Sequence, residues 1–124
     1  CYCGKQGCLE TLVSGPSLER FHCSHTGRKE NLREVMDRGG PDSRAIEQRL
    51  IRYVGESLGT VINLVDPDAV VLGGGVGQIP SLVEQLPKEL SKWVVHPAPT
   101  TPILLPSLGD SAGVFGAALL IADS

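Results

Sequence analysis

The sequence lacks the features that mark membrane, secreted and nucleic-acid-binding proteins. Its longest unbroken apolar run covers residues 117–122, far short of the roughly 20 residues that a membrane-spanning helix needs. No secretory apolar region is present. Lysine and arginine form no basic stripe, and the net charge is −3. These absences predict a cytoplasmic protein that binds neither a membrane nor nucleic acid.

The chain also lacks an initiator methionine, and it opens at Cys1 inside a motif that resembles a metal site. Its 124 residues suit one compact domain or a large piece of a bigger one. No repeat, low-complexity tract or linker divides it. We therefore expect a fragment that forms one α/β unit over residues 1–124.

Cysteine is scarce, and three of the four cysteines fall within the first eight residues, at Cys1, Cys3 and Cys8. An even cysteine count in a secreted domain suggests disulfides. Clustered thiols followed by amphipathic helices fit a metal in a reducing compartment better. Structural zinc takes four nitrogen or sulfur ligands. Residues 1–8, here named the metal knuckle, therefore predict three zinc ligands, and two glycines allow its turns.

The sequence offers several candidates for the fourth zinc ligand. The local candidates are His22, Cys23 and His25, and a residue upstream of Cys1 is the other possibility. For Cys23 we favour the interpretation as a small buried apolar side chain. For His22 and His25 we favour the interpretation as solvated loop residues over zinc ligands.

Apolar periodicity predicts one long helix and several shorter ones. In the long helix, apolar residues recur at steps of three and four. Asp42 or Ser43 is expected to cap its start, and Asp66-Pro67 to stop it. The apolar stripe comprises Ile46, Leu50, Val54, Leu58, Ile62 and Val65.

Two short apolar runs without alternation predict strands covered on both faces. They lie at residues 69–72 and 103–105. Together with the helices they imply an α/β layer architecture. Shorter helices are expected to begin at Leu9 and at Pro16, and to cover residues 31–38, 80–93 and 112–122. The helix over residues 80–93 should be kinked or split at Pro87. Residues 22–30 are expected to be irregular.

Three further features carry alternative interpretations. Gly73, Gly74 and Gly75 follow a strand but match neither a Walker loop nor a Rossmann fingerprint; they predict a structural turn or a close approach to a ligand. Glu10 begins a helix, where the helix dipole stabilises its negative charge. Alternatively, its two carboxylate oxygens accept hydrogen bonds from the hydroxyl groups of a ligand. Gly113, Gly116 and Ala117 share a helix face and predict close packing, with Asp110 or Ser111 as cap.

The pattern Cys1-x-Cys3-Gly4-x-x-Gly7-Cys8-Leu9-Glu10 resembles the signature of ROK proteins, a family of sugar kinases and sugar-responsive repressors. Residues 63–75 and 108–118 are also similar to ROK kinases. The resemblance therefore spans nearly the whole chain, and within the family it is nearest to bacterial fructokinases.

The resemblance implies the C-terminal lobe of an actin-like ATPase (ribonuclease H-like) fold. It implies that Cys1, Cys3 and Cys8 bind zinc together with a histidine upstream of Cys1, and that Glu10 contacts the sugar. Gly73, Gly74 and Gly75 would lie on the side of ATP and Mg²⁺.

In the family the phosphate loop and the catalytic aspartate lie upstream, so no catalytic residue is expected here and the chain alone should be inactive. The sugar would be a hexose, with fructose first, or an N-acetylhexosamine, and a homo-oligomer is expected. A ROK repressor and an unrelated zinc-knuckle interaction module are the alternatives.

Overall fold

The chain folds mainly into helices that cover one face of a short parallel sheet. The computed structural model describes residues 1–96 and 100–122. None of the helices described there is long and apolar enough to cross a membrane. The helices are α1 (Glu10–Val13), α2 (Gly15–Thr26), α3 (Leu32–Arg38), α4 (Pro41–Val65), α5 (Gly74–Gly77), α6 (Pro80–Leu90) and α7 (Ala112–Ala122), and the strands are β1 (Val70–Val71) and β2 (Ile103–Leu104).

The long helix α4 forms the centre of the core, as its apolar stripe predicted. Ile46, Leu50 and Ile62 are buried, and Val54 and Leu58 pack against them. The assignment of Val65 to the stripe was wrong, because its side chain is 68% exposed in the last turn of the helix. The hydrophobic stripe therefore ends one turn before the helix does.

The start of α4 also differs from the expectation. Pro41 is its first residue, which suits a residue without an amide N–H. Asp42 and Ser43 lie inside the first turn, and Ser43 Oγ donates to the carbonyl of Gly40 at 3.1 Å instead of capping the helix. The predicted end is confirmed, because Asp66 adopts a left-handed conformation with φ of 48°.

Two glycines of α4 lie against α6 and the turn that follows it. A Cβ atom on Gly55 would lie 2.6 Å from Cγ of Glu89, and one on Gly59 would lie 2.4 Å from Cβ of Trp93. Glu89 is itself fixed by the indole N–H of Trp93, which donates to it at 3.0 Å. The absence of a Cβ atom at both glycines thus allows Glu89 and Trp93 to approach the α4 backbone closely.

Helix α6 is shorter than the expected 80–93 and is not split at proline. It runs through Pro87 and ends at Leu90. Leu82, Leu86 and Leu90 lie on its buried face. Their burial against α4 offsets the main-chain hydrogen bond that Pro87 cannot donate.

Helices α2 and α3 pack on the other end of α4. Helix α2 has Pro16 in its first turn and runs to Thr26, so the irregular segment expected from residue 22 begins only at Gly27. Asn31 caps α3 by accepting from the amide of Glu34, whose side chain accepts from the amide of Asn31 in return.

The connection between α2 and α3 is held by a cluster of charges. His22 is only 2% exposed and its Nε2 lies 2.8 Å from Glu30 Oε2, so the interpretation of His22 as a solvated loop residue was wrong. Glu30 also pairs with Arg28 and Arg38. Hydrogen bonds from Arg38 and His22 stabilise the carboxylate and lower the pKa of Glu30 to about 2.

The two strands pair in parallel, with Val70 opposite Ile103 and Val71 opposite Leu104. Ile103 is buried against the helices, but Val71 is 57% exposed and Leu104 46% exposed. The positions of both strands are confirmed. The expectation that both faces are covered is wrong for the described residues, because helices pack on one face only.

Helix α7 lies where the sequence predicted it, after a 3₁₀ turn at Gly109–Ser111. The predicted close packing is not made within the described chain, since a Cβ atom on Gly113 or Gly116 would meet nothing within 4 Å. Phe115 is exposed as well. The side chain of Asp110, a predicted cap, lies outside the described residues.

The contact of Gly59 with Trp93, in the turn after α6, predicts the effect of a single methyl group. Gly59→Ala should lower the free energy of unfolding by about 1–3 kcal/mol, because the new Cβ overlaps Trp93. Denaturant unfolding of the purified chain measures this. The matched control Gly113→Ala, in open space on α7, should leave stability unchanged or raise it by about 0.5–1 kcal/mol. Equal stability of the two variants would contradict the packing described.

The charge cluster predicts a dependence of stability on acid. The pKa of Glu30 is about 2 in the folded chain against 4.5 ordinarily, so its contribution is complete above pH 4.5 and is lost as the pH falls toward 2. Glu30→Gln should flatten the pH dependence of the unfolding free energy in this range. Glu84→Gln, which removes an exposed carboxylate of α6, is the control and should keep the wild-type slope.

Candidate functional site

The metal knuckle gathers three thiols at one point. The Sγ atoms of Cys1, Cys3 and Cys8 all lie within 4.8 Å of one another, and those of Cys3 and Cys8 are 3.5 Å apart. In a tetrahedral zinc site with the usual Zn–S bond length, neighbouring sulfurs are about 3.8 Å apart. The three thiols therefore fit zinc as ligands without a large rearrangement.

Backbone turns at two glycines bring these thiols together. Gly4 and Gly7 have φ values of 77° and 75°, which a residue with a side chain rarely adopts. The amide of Gly4 donates to the carbonyl of Cys1 at 3.0 Å. The hydroxyl of Thr11 donates to the carbonyl of Cys8 at 2.7 Å. The last hydrogen bond ties the knuckle directly to helix α1.

The surroundings of Cys3 favour its thiolate. A hydrogen bond from the backbone of Lys5, followed by one from Cys8, lowers the pKa of the Cys3 thiol. Because the thiolate is the form that binds a metal, this arrangement favours metal binding.

The local candidates for a fourth ligand lie outside this cluster. Among the described residues, the group that could hold a metal consists of the three knuckle cysteines alone. His22 is bonded to Glu30, and His25 Nδ1 lies 3.0 Å from the carbonyl of Phe21. Cys23 is half-buried and lines a groove beside α2. A histidine upstream of Cys1 stays a prediction.

Glu10 is placed at the edge of the metal knuckle. It is the first residue of α1 and is separated from Cys8 by Leu9 alone. Its side chain is exposed, and within the described chain nothing donates a hydrogen bond to its carboxylate. Both oxygens are therefore available to hydroxyl groups of a ligand.

The glycine run forms an open turn after β1. A Cβ atom on Gly73, Gly74 or Gly75 would meet nothing within 4 Å, and Gly74 has a φ of 78°. The backbone here is accessible to a ligand. The sequence interpretation missed Gly77, where a Cβ atom would lie 3.0 Å from the carbonyl oxygen of Leu72. Only its position in the folded turn reveals that constraint.

The tertiary structure brings this glycine turn close to the other two motifs. A side-chain methyl of Val76, in α5, is 4.0 Å from the Cβ position of Gly15, which begins α2. The side-chain Nε2 of Gln78 is 3.8 Å from the Cβ position of Gly109, in the 3₁₀ turn before α7. The glycine turn thus lies between the helical pair that carries Glu10 and the start of α7.

Comparison with known proteins identifies relatives over the whole chain. A family profile described as "ROK family" matches residues 1–124. An N-acetyl-D-glucosamine kinase of Mannheimia succiniciproducens is 36% identical over 123 residues, which cover 97% of this chain and 40% of that protein. The chain spans about 40% of the length of the curated relatives that it matches.

Solved structures share its fold. A ROK family glucokinase from Streptomyces griseus, crystallised with glucose and AMPPNP, matches with a TM-score of 0.81 and 28% identity over 97% of this chain and 46% of its own. A ROK family transcriptional regulator, a homologue of the E. coli MLC protein, matches with a TM-score of 0.68 and 23% identity over 85% of this chain and 30% of its own, which shows the fold alone. The predicted lobe of an actin-like ATPase fold is confirmed. With the family profile matched from the first residue to the last, this chain belongs to the ROK family.

Proposed function

We propose that this chain is the sugar-binding and zinc-binding part of an ATP-dependent ROK sugar kinase. The observation that carries the proposal is the gathering of three thiols directly beside the exposed carboxylate of Glu10. A rigid knuckle at that place limits the motion of a residue that must meet sugar hydroxyls in a fixed geometry. The names of the curated relatives, which are sugar kinases, support the same activity.

Zinc would have a supporting role. Cys1, Cys3 and Cys8 would hold it, and the ion would supply structural cross-linking of the knuckle. Zinc has no redox chemistry of its own, and once the predicted upstream histidine completed four protein ligands, the ion would have no open position for a substrate. The thiols fix the loop before α1, and α1 presents Glu10. Cys1, Cys3 and Cys8, once bound to zinc, would therefore influence sugar affinity through the position of Glu10.

The glycine turn is proposed to face the nucleotide. Gly73, Gly74 and Gly75 present bare backbone to solvent, which suits close contact with ATP. The glucokinase crystallised with AMPPNP, an analogue of ATP, supports a nucleotide site in this fold. Phosphoryl transfer also needs Mg²⁺ and a base for the attacking hydroxyl. The family resemblance assigns the base to a part of the protein upstream of the knuckle.

The proposed substrate is a hexose or an N-acetylhexosamine. The curated relatives act on N-acetyl-D-glucosamine by name, so we place an N-acetylhexosamine ahead of the fructose that the resemblance to fructokinases favoured. The transcriptional regulator shares only the fold and does not favour repression. An unrelated zinc-knuckle module is ruled out by the family match over residues 1–124. Homo-oligomerisation and a cytoplasmic location stay predictions.

Elemental analysis tests the zinc site. The full-length gene product should contain about one zinc per chain, and Cys3→Ser should lose it. Cys23→Ser is the matched control and should keep its zinc, because Cys23 lies outside the cluster. Zinc in the full-length product but not in the 124-residue chain would place the fourth ligand outside the chain. A zinc-free wild-type protein, or zinc retained in Cys3→Ser, would overturn the site.

Steady-state kinetics of the full-length product test Glu10. Glu10→Gln should raise the KM for N-acetyl-D-glucosamine by about tenfold or more, because a hydrogen bond to a charged group contributes roughly 1.5–3 kcal/mol. The KM for ATP should stay unchanged. Glu56→Gln, an exposed glutamate of α4, is the control and should behave as wild type. An unchanged sugar KM in Glu10→Gln would exclude Glu10 from the sugar site.

A further inference from the structure

Helix α1 cannot hold Glu10 in place by itself. It has four residues, and isolated helices shorter than about 12–15 residues are marginal in water. The knuckle fixes its N-terminal side through Thr11 and Cys8. Its remaining backbone is fixed by two side chains that come from other helices, at the carbonyls of Glu10 and Leu12.

Ser17, from α2, holds the carbonyl of Glu10. Its hydroxyl donates to Glu10 O at 3.1 Å and accepts from Nη2 of Arg20 at 2.7 Å. The side chain of Ser14 lies 2.9 Å from the same hydroxyl. Ser17 is only 4% exposed, so its hydroxyl is directed by protein groups instead of water. The hydrogen bond joins α2 to the very residue proposed to bind sugar.

Arg49, from α4, holds the carbonyl of Leu12. Its Nε donates to Leu12 O at 3.3 Å. The residue four positions after Leu12 is Pro16, which has no amide N–H, so the usual helical donor to this carbonyl does not exist. Arg49 supplies the donor from outside the helix. It thereby satisfies a carbonyl that proline leaves open.

The guanidinium of Arg49 is itself held in place. It lies 4.7 Å from the ring centroid of Phe21, on α2, and 5.0 Å from that of Tyr53, on α4. No carboxylate of the described residues forms an ion pair with it. Cation–π contacts at both rings orient the group. Arg49 therefore connects α1, α2 and α4 at a single point.

We infer that Ser17 and Arg49 are positioning residues for the carboxylate of Glu10, and that they set sugar affinity through helix α1. The inference rests on the proposed function. Ser17 acts at the start of α1 and Arg49 near its end. Together they transmit the rigidity of α2 and α4 to a helix that is too short to be rigid alone.

Kinetics of the full-length product with N-acetyl-D-glucosamine test this inference. Ser17→Ala and Arg49→Gln should each raise the KM for the sugar by about fivefold, the equivalent of one ordinary hydrogen bond. The KM for ATP and the kcat at saturating sugar should stay near wild type. Ser24→Ala on α2 and Arg44→Gln on α4 replace exposed residues of the same types and are the controls.

A double-mutant comparison separates positioning from a general structural effect. If Ser17 and Arg49 act through Glu10, their substitutions should raise the sugar KM much less in a Glu10→Gln background than in wild type. Independent, additive effects would overturn the inference. So would a loss of melting temperature and active fraction with an unchanged sugar KM. Arg49→Lys, which keeps a cation over Phe21, replaces Arg49→Gln if that variant does not fold.

The two levels of the proposal fail in different ways. If Glu10→Gln leaves the sugar KM unchanged, the proposed sugar site is wrong and the positioning role falls with it. If Glu10→Gln raises the sugar KM but Ser17→Ala and Arg49→Gln do not, only the positioning role is wrong.

Discussion

The close contact of α4 with α6 supports the rest of the described structure. It continues into the turn after α6, where Trp93 packs over Gly59 so closely that a single Cβ atom on the glycine would overlap it. Asn63, one turn further along α4, donates to the carbonyl of Trp93 and accepts from the amide of Val95. These contacts fix the direction in which the chain leaves α6. The parallel strands, which carry the glycine turn, lie against this helical pair.

Helix α4 also determines where the candidate site lies. Its apolar face supports α6 and the sheet, and its N-terminal half packs against α1 and α2. Arg49 is the polar link between that half and the short helix of Glu10. The groups proposed to meet ligands, the Glu10 carboxylate and the glycine turn, are exposed and lie on short elements. The groups that hold them are more buried, which is the usual division between a scaffold and its functional loops.

Helix α4 and the cluster of three cysteines were predictable from residues that lie close together in the chain. The spacing of three or four residues between apolar side chains predicted α4, because such side chains share one face of a helix and that face packs on the core. The spacing of Cys1, Cys3 and Cys8 predicted a cluster, because two intervening glycines permit tight turns. The failures involve distant partners. The burial of His22 depends on its hydrogen bond with Glu30, which lies eight residues later beyond the end of α2. The constraint on Gly77 depends on the nearby carbonyl of Leu72.

The sequence by itself determined most of the helices, though not all their ends, the strand positions, the thiol cluster and the ROK resemblance, because each depends on residues close together in the chain. Only the tertiary structure decided which faces are covered and which side chains support the site. It left Val71 exposed on the open face of the sheet, and it brought Arg49 to a carbonyl that lies 37 positions earlier. Such contacts depend on how helices cross. The crossing is set by packing across the whole core, which no local pattern encodes.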